Sequence, residues 1–301
     1  MNRLKLNKKY KKAWIYGKNV LITGAGSGFG KLLAEKLVKR YNCNVLGVGR
    51  TESKLLAIKN ELLSGGFDGT NGKGGFEYKT FDVSIEQNWA NLKADLLSNG
   101  KTIDVLINNA GVLPPFCKFQ KLKSGMLENT FATNFFAGVY SIKHLMGLID
   151  GTETTRQTND KFKGAIINVS SSAALACVIG TAAYTASKSA IAAFTKVLAL
   201  ERPDLYVGLI LPGFSATSIF RSQTEVSEKE KRLIAKVCGN PDKMTDVMLK
   251  HIVKRKKRIV VGADAHAMSV FGKLFPSFTD NAIKTVLKRA NLQTFSDVFC
   301  D

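Results

Sequence analysis

Seven short apolar runs recur along the chain, and the segments between them carry helical patterns. The runs are KNVLITG (18–24), NVLGVG (44–49), EYKTFDV (77–83), IDVLINNAG (103–111), GAIINVSSS (164–172), YVGLILPG (206–213) and KRIVVG (257–262). Amphipathic stretches at 29–41, 52–63, 85–98, 124–149 and 182–202 separate them. Apolar runs of this length are the mark of strands buried on both faces, and parallel neighbours need long crossover connections. The pattern predicts an α/β fold: a doubly wound, mostly parallel seven-stranded sheet flanked by helices.

A chain of 301 residues with 45% hydrophobic content can bury the core of one such domain. We place that domain at 18–262, between a basic N-terminal arm (1–17) and a C-terminal extension (263–301) that fits a membrane surface or a subunit interface. The Gly-rich stretch 64–75 and the polar stretch 150–161 have no apolar periodicity and are expected to be surface loops. Five cysteines without a C-x-x-C spacing indicate neither a disulfide framework nor a zinc site, and His144, His251 and His266 are too scattered for metal ligation. No apolar run reaches the roughly 18 to 20 residues of a membrane span, so a cytoplasmic, reducing location is expected.

The formal net charge is +20, densest in the first eighteen residues and in KRKKR at 254–258. Such a surface suits nucleic acid, an anionic membrane or a phosphorylated ligand, and it is also what a plain solvated basic face looks like. No zinc-finger, zipper or RNA-recognition pattern is present, so no specific nucleic-acid partner is expected. A peripheral membrane contact is compatible with the charge.

LITGAGSGFGK puts Gly24, Gly26, Gly28 and Gly30 directly after the first strand and at the mouth of a helix, with Thr23, Ser27 and Phe29 among them. Glycines there let the backbone turn sharply and approach a pyrophosphate that faces the helix N-terminus, the Rossmann dinucleotide device. The second strand ends GVGRT: Gly49 stands where NAD-preferring sites usually carry an acid, and Arg50 suits a ribose 2′-phosphate. The expected cofactor is NADP(H), with NAD(H) as the alternative. Asp82 in TFDV, beside Val83, is a candidate acceptor for the adenine amine, although an Asp there also serves as a helix N-cap. Asn109, Ala110 and Gly111 in INNAG can line the adenosine side of the site, or merely turn the chain.

AAYTASKSAIAAF (182–194) places Tyr184 and Lys188 one helical turn apart on one face. The pair is either a solvated surface contact or the centre of a catalytic site. The small residues around it favour a helix packed closely against something.

Taken together, Thr23-Gly24-x-x-x-Gly28-x-Gly30, Asn108-Asn109-Ala110-Gly111, Asn134 in FATNFFAG, Ser171 in NVSSS, Tyr184-x-x-x-Lys188 and Pro212-Gly213-x-x-x-Thr217 stand in one order. In that order and at about those spacings, residues 18 to 262 resemble the short-chain dehydrogenase/reductase family. The resemblance implies Tyr184 as general acid/base, Ser171 as the hydroxyl that holds the substrate oxygen, and Lys188 bonded to the nicotinamide ribose. It further implies that Asn134 binds a water linking Lys188 to solvent, and that Thr217 with the backbone after Gly213 holds the carboxamide. A phenol with an ordinary pKa near 10 needs help to act as a base, and the Lys188 charge beside an oxidised nicotinamide would supply it. Homodimers or homotetramers built through 124–149 and 182–202 are implied too. The chain departs from the family at Gly208, where an asparagine is frequent.

Residues 214–240 have the pattern of an amphipathic lid, and Leu113, Pro114, Pro115, Phe116, Cys177 and Ile179 imply an apolar pocket. The expected substrate is a hydrophobic ketone, aldehyde or secondary alcohol. The competing reading is a non-catalytic NADP(H) sensor, or a basic membrane or nucleic-acid binder that uses the same scaffold.

Overall fold

Alternation decides the architecture. In the first strand, β1 (Asn19–Thr23), Val20 and Ile22 point to one side of the sheet and Leu21 to the other, and all three are buried. Both faces therefore need a cover, and the crossover helices provide it. The computed structural model describes residues 10–70, 73–154, 158, 160–215, 238–290 and 295–299.

The remaining strands are β2 (Asn44–Gly49), β3 (Gly75–Thr80), β4 (Val105–Asn108), β5 (Ala165–Val169), β6 (Tyr206–Pro212) and β7 (Arg258–Val261). They form one sheet in the order β3-β2-β1-β4-β5-β6-β7, and every pairing is parallel. The chain winds outward from β1 in one direction, then crosses to β4 and winds in the other. The switch point lies between β1 and β4, where the loops leaving the two strands diverge and open a crevice.

The helices are α1 (Gly28–Tyr41), α2 (Glu52–Ser64), α3 (Glu86–Ser98), α4 (Ser124–Phe131), α5 (Ala137–Asp150), α6 (Ala182–Glu201), α7 (Pro241–Val253), α8 (Ala263–Leu274), α9 (Pro276–Ala290) and the short α10 (Ser296–Phe299). One face of the sheet packs on Leu33 and Leu37 of α1, Leu55 and Ile58 of α2, and Met248 and Ile252 of α7. The other packs on Trp89 and Leu92 of α3, Leu145 and Leu148 of α5, and Leu198 of α6.

Three details differ from the sequence pattern. The stretch 124–149 is not one helix: α4 and α5 are joined by a π-helical turn at Ala132–Phe136. The third apolar run, 77–83, yields a strand at Gly75–Thr80, because β3 is an edge strand whose pairing with β2 ends at Gly49↔Thr80. Of the basic segment 1–17, residues 10–17 are described, and Ile15 is fully buried in the core. Trp14 and Tyr206 meet edge to face with ring centres 5.8 Å apart, and the Arg255 guanidinium lies over the Trp14 ring.

Candidate active site

The turn after β1 is built on steric exclusion. Gly24 (φ 65°) and Gly28 (φ 53°) occupy the left-handed region. A Cβ on Gly30 would fall 2.2 Å from the Gly24 carbonyl oxygen, so the first turn of α1 lies directly against the strand end. Side chains then lock β1 to β4: Asn109 and Ala110 donate their backbone N–H groups to Thr23 Oγ1, each at 3.0 Å, and Asn109 Nδ2 donates to the Thr23 carbonyl at 3.0 Å. The result is a helix N-terminus with its first N–H groups unshared within the helix, facing an open crevice.

That crevice is a cleft of about 460 Å³ at the switch point. Gly24, Ser27, Gly28 and Phe29 wall one side, and Asn109, Ala110 and Gly111 close the floor. Ser171, Tyr184, Lys188, Pro212 and Gly213 form the opposite wall. Sequence positions far apart are thus gathered at the carboxyl ends of β1, β4, β5 and β6. The residues present fit a dinucleotide: the glycine turn leaves a cradle a side chain would fill, and the helix dipole and free N–H groups of α1 favour a phosphate.

Ser171 follows β5. Its hydroxyl accepts from Ala173 N–H at 3.2 Å, and Ser171 lines the same wall as Tyr184. Burial pushes the Tyr184 phenol above its ordinary range, and the nearby Ser171 hydroxyl pulls it part of the way back. Lys188 is also buried, which pushes its ammonium down to about 8. Its Nζ donates to the Val169 carbonyl at 3.0 Å and lies 5.9 Å from the Tyr184 ring centre. Gly111 leaves it room, since a Cβ there would sit 3.1 Å from Lys188 Nζ and 3.2 Å from Asn134 Oδ1. Of the neighbouring serines, Ser170 is turned inward and donates to the Lys188 carbonyl at 2.7 Å.

Several expected residues lie off the cleft wall. Asn134 sits in the π-helical turn, where its amide is already engaged: Oδ1 accepts from Val112 N–H at 2.8 Å, and Nδ2 donates to the Val112 carbonyl at 2.9 Å and to Ser187 Oγ at 3.0 Å. A π turn is a common device at functional sites, and here it ties α4 and α5 to both the β4 loop and α6. Thr23 and Gly30 act through the bracing just described. The Gly26 backbone passes over α2, with Lys54 Cβ 3.4 Å from where its own Cβ would be.

Arg50 is 65% exposed and lies 4.0 Å from the Asp82 carboxylate. Asp82 Oδ1 accepts from Ser84 N–H (2.9 Å) and Ser84 Oγ (2.7 Å). Partial burial raises the Asp82 carboxyl, but the Ser84 bonds and the Arg50 charge outweigh it and hold it below the usual carboxylate range. Val83 is in the core, with its carbonyl taken by Trp89 Nε1 at 2.8 Å. Thr217 and most of the segment 214–240 lie outside the described residues. Its base is pinned by Gly239 N–H donating to the Phe214 carbonyl at 2.8 Å.

Among the apolar candidates, Leu113 and Phe116 line the cleft. Cys177 and Ile179 do not: Val178 between them faces the cleft, and they line a neighbouring groove. Three contributors were missed. Lys54 lines the cleft beside the glycine turn. Asp264, at the start of α8, accepts from Phe214 N–H at 2.6 Å and so anchors the loop after β6. Asn168 bridges Asn108 (3.0 Å) and Thr195 (2.9 Å) beneath the site. Gly208 has a local reason too, since Tyr206 Oη lies 3.0 Å from where a Cβ would be.

These features define a Rossmann-type protein that gathers its functional side chains at the switch point of the sheet. The family can be stated more narrowly: the model for short chain dehydrogenase matches residues 18–228, and the chain belongs to that family. The 3-oxoacyl-acyl-carrier-protein reductase FabG of Buchnera aphidicola is 26% identical over 260 residues, 84% of this chain and 96% of that protein. A short chain dehydrogenase/reductase from Burkholderia phymatum in complex with NAD has a TM-score of 0.70 at 20% identity, covering 90% of this chain and 96% of that one. A short-chain dehydrogenase from Sphingobium yanoikuyae in complex with NADPH has a TM-score of 0.68 at 22% identity, covering 90% and 95% respectively.

Proposed function

We propose that this protein is an oxidoreductase that moves a hydride between NADP(H) and a hydrophobic ketone, aldehyde or secondary alcohol. The observation that carries this reading is that Ser171, Tyr184 and Lys188 line the same cleft as the glycine turn. Gly24, Ser27, Gly28 and the α1 N-terminus would hold the pyrophosphate, and Arg50 the 2′-phosphate. The cofactor, when bound, supplies or takes the hydride.

The chain's own groups handle the oxygen and the proton. Ser171 holds the substrate oxygen beside the Tyr184 hydroxyl, and the buried phenol, being raised, keeps its proton at neutral pH and gives it to the developing alkoxide. Lys188 sits one turn below, oriented by Val169, with its ammonium free to reach ribose hydroxyls. Leu113, Phe116 and Val178 exclude water and favour an apolar substrate. We further propose that copies of the chain associate through α5 and α6, where Leu200 is 81% exposed.

The test is Tyr184→Phe. Cofactor affinity should hold while turnover of hydrophobic ketones with NADPH falls about a hundredfold or more, the scale of a lost general acid. Equal turnover in the two proteins would overturn the assignment.

A further inference from the structure

Helices α8 and α9 form a hairpin whose turn is apolar and open to solvent. At helical spacing, Ala267, Val270, Phe271 and Leu274 of α8 are all exposed, and Phe275 and Phe278 continue the surface around the turn. The large side chains are far out of the core: Phe271 is 50% exposed, Val270 53%, Phe275 57%, Leu274 62% and Phe278 70%. Contiguous apolar surface of this kind is uncommon on a protein that meets only water.

Charge narrows the occupant. Lys273 lies within the apolar turn itself, Lys284 follows further along α9 and Lys288 and Arg289 stand in its last turn, and all four are exposed. The hairpin's two acids face inward: Asp264 accepts from Phe214 N–H at 2.6 Å, and Asp280 accepts from Cys177 N–H at 2.9 Å. Outward charge is therefore entirely positive on a chain whose net charge is already +20. A second copy meeting this face across a two-fold axis would set like charges against each other. An anionic lipid surface supplies both what the aromatic turn needs and what the lysines need.

We propose that the α8–α9 hairpin docks the protein on an anionic lipid bilayer, with Phe271, Leu274 and Phe278 entering the interface and the basic residues lying among the headgroups. The mode is surface attachment, since no helix among the described residues is long and apolar enough to cross a membrane. The hairpin is rigidly joined to the body. A Cβ on Gly272 would fall 2.4 Å from the Leu175 carbonyl, and Asp280 holds Cys177, so α8 and α9 both lie against the segment that follows Ser171. Docking would set the substrate end of the cleft, at Val178, and the adjoining groove of about 560 Å³ near the lipid.

The experiment is sedimentation of the full chain with vesicles of phosphatidylcholine alone and of phosphatidylcholine with about one third phosphatidylglycerol. Thermal unfolding and elution volume are measured alongside. The wild type should bind the mixed vesicles at least about tenfold more tightly than the neutral ones and release in high salt. The triple variant Phe271→Glu, Leu274→Glu, Phe278→Glu should lose at least about tenfold in vesicle affinity with its unfolding temperature and NADPH binding kept, because the replaced side chains support no core. The double variant Lys284→Glu, Lys288→Glu should lose the preference for anionic vesicles. No binding by the wild type, or undiminished binding by the triple variant, would overturn the proposal. So would a triple variant that breaks an assembly of copies while leaving vesicle binding unchanged, which would give this face to a second copy of the chain.

Discussion

The Lys188 ammonium and the Val169 carbonyl are bonded at 3.0 Å, joining α6 to the end of the buried strand β5. That bond does not offset the cost of burying the charge. Lys188 is 3% exposed and is pushed down to about 8, against roughly 10.4 in an unfolded chain. Between those two values the unfolded state binds more protons, so stability should rise with pH through that window, and the full penalty is present below pH 8. In the absence of cofactor, Lys188→Met should therefore be more stable than the wild type at pH 7, by about 1 to 3 kcal/mol once the orphaned carbonyl is counted. The gain should shrink above about pH 8 while activity is lost throughout. Denaturant melts across pH would check it, and a less stable variant at pH 7 would reject it.

The glycine turn separates a fold requirement from a ligand requirement. Gly30→Ala puts a methyl 2.2 Å from the Gly24 carbonyl and 2.6 Å from Asn109 Nδ2, so it must spread β1 from β4. We expect a loss of about 2 to 3 kcal/mol together with loss of NADPH binding. Gly26→Ala meets nothing closer than 3.4 Å and has no positive φ to strain it. Its stability should stay within about 0.5 kcal/mol of the wild type. Thermal unfolding beside a fluorescence titration with NADPH distinguishes the two, and equal stabilities would refute the steric account.

How much of this was legible in the chain follows from what the signals are. Short apolar runs gave strand number and parallel pairing because burial on both faces leaves no polar alternation, as in the wholly buried β5 and β6. Tyr184, Lys188 and Ser171 were legible as spacing and order. The π turn at 132–136 was not, because one widened turn barely disturbs the apolar rhythm of 124–149. Nor was Asn168, whose side chain is buried in an apolar run and whose partners, Asn108 and Thr195, are 60 and 27 residues away. The basic count of residues 1–17 likewise concealed Trp14 and Ile15, which the fold uses as core. Long-range partners of polar side chains leave no local trace.

Preference between the two nicotinamide cofactors should depend on Arg50. Its guanidinium is exposed and shares the Asp82 carboxylate only at 4.0 Å, so a 2′-phosphate can compete for it. Arg50→Ala should weaken NADPH about tenfold and NADH little, the scale of one lost charge-assisted bond. The check is the ratio of the two dissociation constants at fixed ionic strength. An unchanged ratio in Arg50→Ala, with a collapsed ratio in Lys54→Ala, would transfer the role to the lysine that lines the cleft.

Asp264 should govern cofactor binding without touching it. Its carboxylate accepts from Phe214 N–H at 2.6 Å, and Gly213 is held from the other side by its N–H donating to the Val261 carbonyl at 2.8 Å. Gly213 admits this packing because it has no side chain: a Cβ would fall 2.1 Å from Asp264 Oδ1. The loop that borders the cleft after β6 is therefore clamped between β7 and α8. Asp264→Ala leaves the Phe214 N–H without its charged acceptor, at a cost of about 1 to 3 kcal/mol. Because the loop then loses its fixed position, affinity for the dinucleotide should fall more than the turnover of the saturated enzyme. Asp264→Asn retains an acceptor oxygen and should restore most of the binding. A variant pair with equal affinities, or an alanine variant that loses turnover alone, would show that the clamp does not position this wall of the cleft.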